Sequence, residues 1–591
     1  MTVKVSDYIM DFLASRGVSM VFLLPGGGSM HLVDSLGRCK KLKYTCFLHE
    51  QALAVAAEAY GQHRNIPGVG LVTSGPGSTN TITAVAAAYI DSTPCVFLSG
   101  QAKRADLKGD TGVRQKGSQE VDIVSMIKGI TKYAATIMEP EDVRFHLEKA
   151  WHEATTGRMG PVWLDIPLDV QGAWIDEDHL RGFRPGASRQ RRLPIGKIVS
   201  ALKRSQRPLM LVGNGVKLAG ASALVRGFAE KHRIPMVLTW KTADFLGHDH
   251  PLNFGFPGIL GSRFANFIVQ NCDLLLILGS RLDPSLTAFK SEDFGRNSYK
   301  VMIDVDPAEI DKIGNVDLRV AADVLEALTL LAQEKFRMPE HGQWLEYCGR
   351  LKSRYPPISS RPPARRDVDL YAFTAELFRQ LGPTDIIVPE SSGAAGEVTY
   401  QAMRAKQGQS IKNAAGLGAM GFGLPYAIGS CLAMDRRRTI LVNGDGAFQL
   451  NIQELETVRR LRLPLKMFIL DNGGYMSIAA TQRHMFGGRI VGADASSGMT
   501  LPDVCAVARA YKIRTAEIRT NGRLSAGIAK VLSGSDPVLC RIKVSREHAT
   551  TPKVQARELA DGGIVSKPLE DMWPYLPREE LKGNMRISAK V

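Results

Sequence analysis

The chain of 591 residues lacks long apolar runs. No window holds the ~20 consecutive apolar residues of a membrane-spanning helix, so a membrane partner is not expected. Cysteine is sparse, eight residues in all, with no CxxC pair. Most lie inside apolar segments, Cys95 and Cys540 among them, which predicts reduced core thiols and a cytoplasmic protein. Aromatic residues make up only 7%, and no dense basic block with aromatics between its charges occurs. Nucleic acid is therefore not the expected partner, although the net charge is +16. Lysine and arginine are spread along the chain, which suits an anionic substrate or cofactor and equally a solvated basic surface. There is no low-complexity tract and no short repeat. The opening residues, MTVKVSDYIMDFLASRG, mix acids with apolar residues. They predict an amphipathic helix, not a signal peptide.

What is present is an alternation of short apolar runs with longer helical patterns. Two stretches rich in Pro, Arg and Ser, residues 184–194 and 355–366, read as linkers. They leave segments 1–180, 195–345 and 366–550, with a tail over 551–591. Each segment should be an α/β unit with a parallel sheet, giving three such domains in succession. Strands are expected at 21–24, 68–73, 95–98 and 162–166 in the first segment. They are expected at 208–213, 236–238, 274–278 and 301–305 in the second, and at 386–388, 439–442 and 467–470 in the third.

Residues 441–474 read LVNGDGAFQLNIQELETVRRLRLPLKMFILDNGG. Gly444-Asp445-Gly446 ends one apolar run, and Asp471-Asn472 ends another. Two buried parallel strands would stop there, at the edge where open α/β sheets place their ligands. A carboxylate, an amide oxygen and a free carbonyl make a hard, all-oxygen site. Such a site suits Mg²⁺ that also holds phosphate oxygens. The plainer alternative is a pair of strand-end turns capped by Asp and Asn.

The stretch resembles the metal-diphosphate motif of thiamine diphosphate (ThDP) enzymes, with Asp471 where an Asn is usual. LPGGGSM (24–30), HEQ (49–51), TSGPGSTN (73–80), IDSTPCVFLSGQ (90–101) and GLGAMGFGLP (416–425) complete a likeness to acetolactate synthase-like enzymes over nearly the whole chain. The likeness implies a pyrimidine-binding domain over 1–180, a central FAD- or nucleotide-binding-like domain over 195–345, and a diphosphate- and Mg²⁺-binding domain over 366–550. It implies Mg²⁺ held by Asp445, Asn472 and the carbonyl of Gly474. Further ThDP contacts are implied at Gly27, Gly393, Gly418, Met420, Gly444, Gly446 and Ala447.

By the same resemblance Glu50 would bond N1′ of the aminopyrimidine ring and promote loss of the C2 proton. A buried acid of raised pKa suits that role. Taken alone, an acid at a helix start is a favourable charge on the dipole. Gln119 would neighbour the bound intermediate, and His49 has no assigned role. LVGNGVKLAG (211–220) is a Gly-rich turn but not a full dinucleotide fingerprint. GFPGILGSRFAN (255–266) and LGSRLD (278–283) resemble FAD-contacting stretches, which implies FAD at Gly213, Arg281 and Asp304 in a structural role. In the family, Glu50 and the metal motif of one site come from different subunits, which implies a homodimer or homotetramer.

Four positions depart from the resemblance. Acetolactate synthases carry Arg, Lys, Trp and Phe where this chain has Ser285, Leu168, Thr481 and Ser118. Two cations become neutral and two bulky rings become small. The expectation is an enzyme that decarboxylates pyruvate and passes the acetyl unit to a carbonyl acceptor without a neighbouring carboxylate. A nucleotide-linked keto-sugar leads, by similarity to the enzyme that adds a two-carbon branch in yersiniose-type sugar biosynthesis. Acetolactate synthesis from two pyruvates is the near alternative. An inactive flavin-binding scaffold is the remoter one.

Overall fold

The computed structural model describes residues 2–186, 192–357, 367–558 and 563–585. Much of each expected linker, at 187–191 and 358–366, lies outside the described residues, as do 559–562 and 586–591 of the expected tail. Three parallel sheets follow one another along the chain. The first holds β1 (Met20–Leu23), β2 (Lys43–Cys46), β3 (Gly68–Val72), β4 (Cys95–Gln101), β5 (Tyr133–Thr136) and β6 (Pro161–Pro167), in the order β2-β1-β3-β4-β6-β5. The second holds β7 (Pro208–Val212), β8 (Met236–Leu238), β9 (Leu274–Leu278), β10 (Tyr299–Asp304) and β11 (Leu318–Ala321), in the order β8-β7-β9-β10-β11. The third holds β12 (Ile386–Pro389), β13 (Ser410–Ile411), β14 (Thr439–Gly444), β15 (Leu465–Asp471), β16 (Arg514–Ile518) and β17 (Val538–Lys543), in the order β13-β12-β14-β15-β17-β16. Counted from its own first strand, the third sheet repeats the order of the first.

Strands β3, β4, β6, β7 and β9 are buried at every residue. Helices cover both faces of such sheets, so these strands read as continuous apolar runs and not as alternations. The expected amphipathic helix forms at Val5–Ser15 and buries Val5, Ile9, Met10 and Leu13. All eight cysteines are free and six are buried. No helix among the described residues is long and apolar enough to cross a membrane.

Two helices join the outer domains. Glu50–Arg64 is rich in Ala, starts where His49 Nδ1 accepts from the Gln51 amide at 3.1 Å, and ends on left-handed Asn65. Gly423–Ala433 packs against it, and both are buried along most of their length. Gly429 permits the close approach: a Cβ there would lie 2.4 Å from the Ala56 carbonyl oxygen. The middle domain is tied in by charge. Lys241 Nζ donates to Asp91 Oδ2 (2.8 Å) and Gln62 Oε1 (3.1 Å) in the first domain, and to the Asn413 carbonyl oxygen (2.6 Å) in the third.

Candidate active site

Strands β14 and β15 are parallel neighbours, so their ends set Asp445 beside Asn472. Asp445 opens the short helix Asp445–Phe448, directly after Gly444, and Ala447 is buried within it. The buried carboxylate accepts from Gly446 N at 2.9 Å through Oδ1. It accepts from Asn472 N (3.1 Å) and Gly473 N (2.7 Å) through Oδ2. Burial pushes the carboxyl up to about 6 in spite of these amide bonds. The end of the Asn472 amide lies 2.9 Å from the Gly474 carbonyl oxygen and 3.2 Å from Asp445 Oδ1. With nitrogen there, it donates to both. With oxygen there, the Asn472 oxygen stands from each of the other two oxygens at about the ~3 Å edge length of an octahedron built on ~2.1 Å bonds, as Mg²⁺ prefers. The trio therefore fits Mg²⁺. Gly474 must be glycine here, because its φ is +151° and a Cβ would lie 2.2 Å from the Ala493 carbonyl oxygen.

The other predicted residues form a second group in the first domain. Glu50 Oε2 accepts from Asn80 Nδ2 at 2.9 Å. The neighbouring Gly75–Gly77 turn packs on the backbone of Gln119, whose side chain is exposed and whose φ is +56°. Gly27 is exposed in the turn Gly27–Ser29, and Gly28 N donates to Thr73 Oγ1 at 3.1 Å. Glu50 is only partly buried. The acid at this helix start is thus less buried than the sequence led one to expect, with Leu48 beside it 51% exposed. Among the described residues, no hydrogen bond joins Glu50 to the metal trio or to Met420.

Residues just past Asp445 grip the Glu50 segment, a contact the sequence reading did not identify. Leu48 N donates to Glu454 Oε1 at 3.0 Å, and Asn451 Nδ2 donates to Gln51 Oε1 at 3.0 Å and to the Gly421 carbonyl oxygen at 2.8 Å. Burial raises the Glu454 pKa. The same Gly421 belongs to the loop with left-handed Gly418 (φ +68°), where Met420 stands 41% exposed. Apart from Leu48, which directly precedes HEQ, these residues lie inside the motifs already singled out, but the contacts to Leu48 and Gln51 span about four hundred residues and have no local signature.

A cavity of about 400 Å³ lies where the strand ends of the middle domain meet the other two domains. Gly213, at the end of β7, Arg281 and Asp304 all line it. Burial pushes the Asp304 carboxyl up to about 6, and its Oδ1 accepts from Asp306 N at 3.0 Å. Arg281 has no ion-pair partner among the described residues. A glycine turn, an uncommitted guanidinium and a strand-end carboxylate fit the phosphates and ribose of a dinucleotide such as FAD. Gly393 (φ +71°) lines the same cavity and faces Ser477 beside the metal loop. Unforeseen lining residues are Arg158, which pairs with Asp306 (2.9 Å) and Glu309 (2.6 Å), and Glu397. Thr550 Oγ1 donates to Glu397 Oε2 at 2.6 Å, and burial raises that carboxyl's pKa.

The chain matches three family descriptions in order. They are "Thiamine pyrophosphate enzyme, N-terminal TPP binding domain" at residues 3–126, the "central domain" at 195–331, and the "C-terminal TPP binding domain" at 392–542. Among its relatives, the acetolactate synthase large subunit of Parasynechococcus marenigrum is 31% identical over 569 residues, covering 94% of this chain and 89% of the relative. The acetolactate synthase isozyme 2 large subunit of Escherichia coli is 30% identical over 581 residues, covering 97% of each. Chloroplastic acetolactate synthase 2 of Zea mays is 31% identical over 574 residues, covering 93% of this chain and 87% of the relative. The chain belongs to the acetolactate synthase-like family of thiamine diphosphate-dependent enzymes, a transferase-type group.

Proposed function

We propose that the protein uses ThDP and Mg²⁺ to decarboxylate pyruvate, and that it passes the acetyl unit to a carbonyl acceptor without a carboxylate, such as a nucleotide-linked keto-sugar. When bound, ThDP supplies the carbon nucleophile and the electron sink. Asp445, Asn472 and the Gly474 carbonyl would hold Mg²⁺ against the diphosphate, while Gly418 and Met420 would support the ring system. Glu50 would hold a proton at N1′, its carboxylate oriented by Asn80. Arg281, Asp304 and Gly213 would hold FAD.

This reading requires a second copy of the chain. Apolar side chains stand exposed around both groups, Leu48 at 51% and Met420 at 41%. Facing copies would cover them and bring Met420 and the metal trio of one chain to Glu50 of the other. That closure would also desolvate Glu50 and favour its protonated form.

One observation carries the acceptor assignment. Ser285 lines the cavity where the resemblance expects an arginine, and the carboxylate of Glu397 lines the same space. Arg158 and Lys241 are committed to carboxylates, and Arg281 of the same cavity, without an ion-pair partner among the described residues, is assigned above to FAD. A second keto acid would bring its negative charge to a space that Glu397 lines and that lacks the arginine the resemblance expects at position 285.

The test is product analysis with ThDP, Mg²⁺ and pyruvate, with and without a nucleotide-linked keto-sugar. Little acetolactate from pyruvate alone, and a branched sugar when the acceptor is added, are expected. Abundant acetolactate without an added acceptor would overturn the keto-sugar reading in favour of acetolactate synthesis, the activity in the relatives' names. No CO₂ release from pyruvate or other keto acids would leave only a scaffold.

A further inference from the structure

A second cavity, of about 300 Å³, shares Asn214 and Leu218 with the first and also draws its walls from all three domains. Its charge does not balance. Lys217, Arg226 and Lys412 line it, against one carboxylate, Asp244. Asp244 is paired with Lys217. Among the described residues Lys412 donates to the Gln62 carbonyl oxygen and shares the field of Asp244 with Lys217, and Arg226 Nη2 donates to the Phe245 carbonyl oxygen at 2.8 Å.

Two buried atoms of lining side chains, Arg226 Nε and His63 Nε2, have no partner among the described residues. Burial keeps the His63 imidazole neutral by lowering its pKa. Its Nδ1 lies 3.4 Å from Ser410 Oγ, so Nε2 carries the proton when Nδ1 accepts. The helix Ser222–His232 begins at this cavity, and no side chain caps its first amides. Orphaned donors, an uncapped helix start and two surplus positive charges all lack the same thing, a compact acceptor bearing about two negative charges. Burial, and then Lys217, lowers the Lys412 pKa to about 7. A bound anion would reverse that pressure.

We propose that this cavity binds a phosphoryl dianion, either inorganic phosphate or the phosphate of a small monoester. The ligand would bridge Lys217 and Arg226 of the middle domain, His63 of the first and Lys412 of the third. Occupancy would fix the three domains relative to one another beside the proposed flavin cavity.

The test is calorimetric titration of the holoenzyme, loaded with ThDP, Mg²⁺ and FAD so that those sites do not compete. Inorganic phosphate and glycerol phosphate are titrated separately at constant ionic strength. One saturable site per chain is expected for at least one of them, and the tighter of the two identifies the source. Ser222→Glu places a carboxylate in a first helical turn, where the dipole stabilises it, and should abolish binding while pyruvate turnover persists. Arg226→Gln should weaken binding about tenfold or more by removing a charge-assisted donor. If Arg226→Gln does not fold, Ser222→Glu decides alone. Absence of saturable binding up to about 10 mM, or wild-type binding by Ser222→Glu, overturns the proposal.

Discussion

Replacing Asp445 by Asn tests the metal assignment most directly. The native carboxylate accepts three backbone amides, one at Oδ1 and two at Oδ2. A carboxamide can accept at only one end. With its nitrogen at the Oδ1 position, the Gly446 bond is lost; with its nitrogen at Oδ2, the bonds to Asn472 and Gly473 are lost. A hydrogen bond to a charged group contributes about 1.5–3 kcal/mol. The substitution also removes the only negative charge from the trio. A combined loss of about 3 kcal/mol corresponds to a roughly 100-fold weaker Mg²⁺ affinity. The assay is CO₂ release from pyruvate as a function of Mg²⁺ at saturating ThDP, with cofactor retention followed by gel filtration. The half-saturating Mg²⁺ concentration should rise by about that factor, and the variant should lose ThDP on the column. If half-saturation moves by less than about threefold and ThDP co-elutes as in the wild type, the metal does not sit on Asp445.

Three further outcomes are expected. Glu50→Gln should slow CO₂ release about 10²–10⁴-fold, the usual share of a positioned acid–base group, while ThDP retention is unchanged; undiminished turnover would remove Glu50 from the mechanism. Lys241→Met leaves Asp91 buried without its cation and should cost about 3–5 kcal/mol, read as a lower urea midpoint at fixed cofactor concentrations. Adding Asp91→Asn should recover most of that loss, and a single-variant loss below about 1 kcal/mol would contradict the three-domain tie. Burial pushes the Glu390 carboxyl from its ordinary 4.5 up to about 7. The folded chain therefore keeps a proton that the unfolded chain releases. The stability from this group is present below pH 4.5 and is lost as the pH rises through about 7. Glu390→Gln should flatten that decline between pH 5 and pH 8 in denaturant unfolding; parallel pH profiles for the two proteins would refute the assignment.

The strands legible in the sequence were those buried on both faces. The runs at 208–212, 236–238 and 274–278 match expectation closely, because continuous apolar runs bounded by turns have few other solutions. Strands β2, β5, β11, β13 and β16, each at the edge of its sheet, were not foreseen. Lys43–Cys46, Tyr133–Thr136 and Arg514–Ile518 lie at or near sheet edges, keep most residues at least partly exposed and carry little apolar pattern. Strand β17 lies inside its sheet, but Arg541 breaks its apolar run. That guanidinium reaches Asp503 and Glu517 on neighbouring elements instead of marking a loop.

The convergence of Asp445, Asn472 and Gly474 was legible because strand ends and side-chain chemistry coincide within thirty residues. The exposure of Glu50 was not, since it depends on what faces the domain rim. Nor was the Lys241 tie, because Gln62, Asp91 and Asn413 carry no local sign that one ammonium gathers them.

The repeated strand order of the outer sheets bears on how the molecule can change over evolutionary time. The two outer units share that order and dock through Glu50–Arg64 and Gly423–Ala433, so one chain already holds two alike α/β units face to face. The middle sheet shares the first four positions of that order and ends one strand sooner. The cavity of the middle domain is lined by neither of those two helices, so its walls can change while the contact between the outer units is kept.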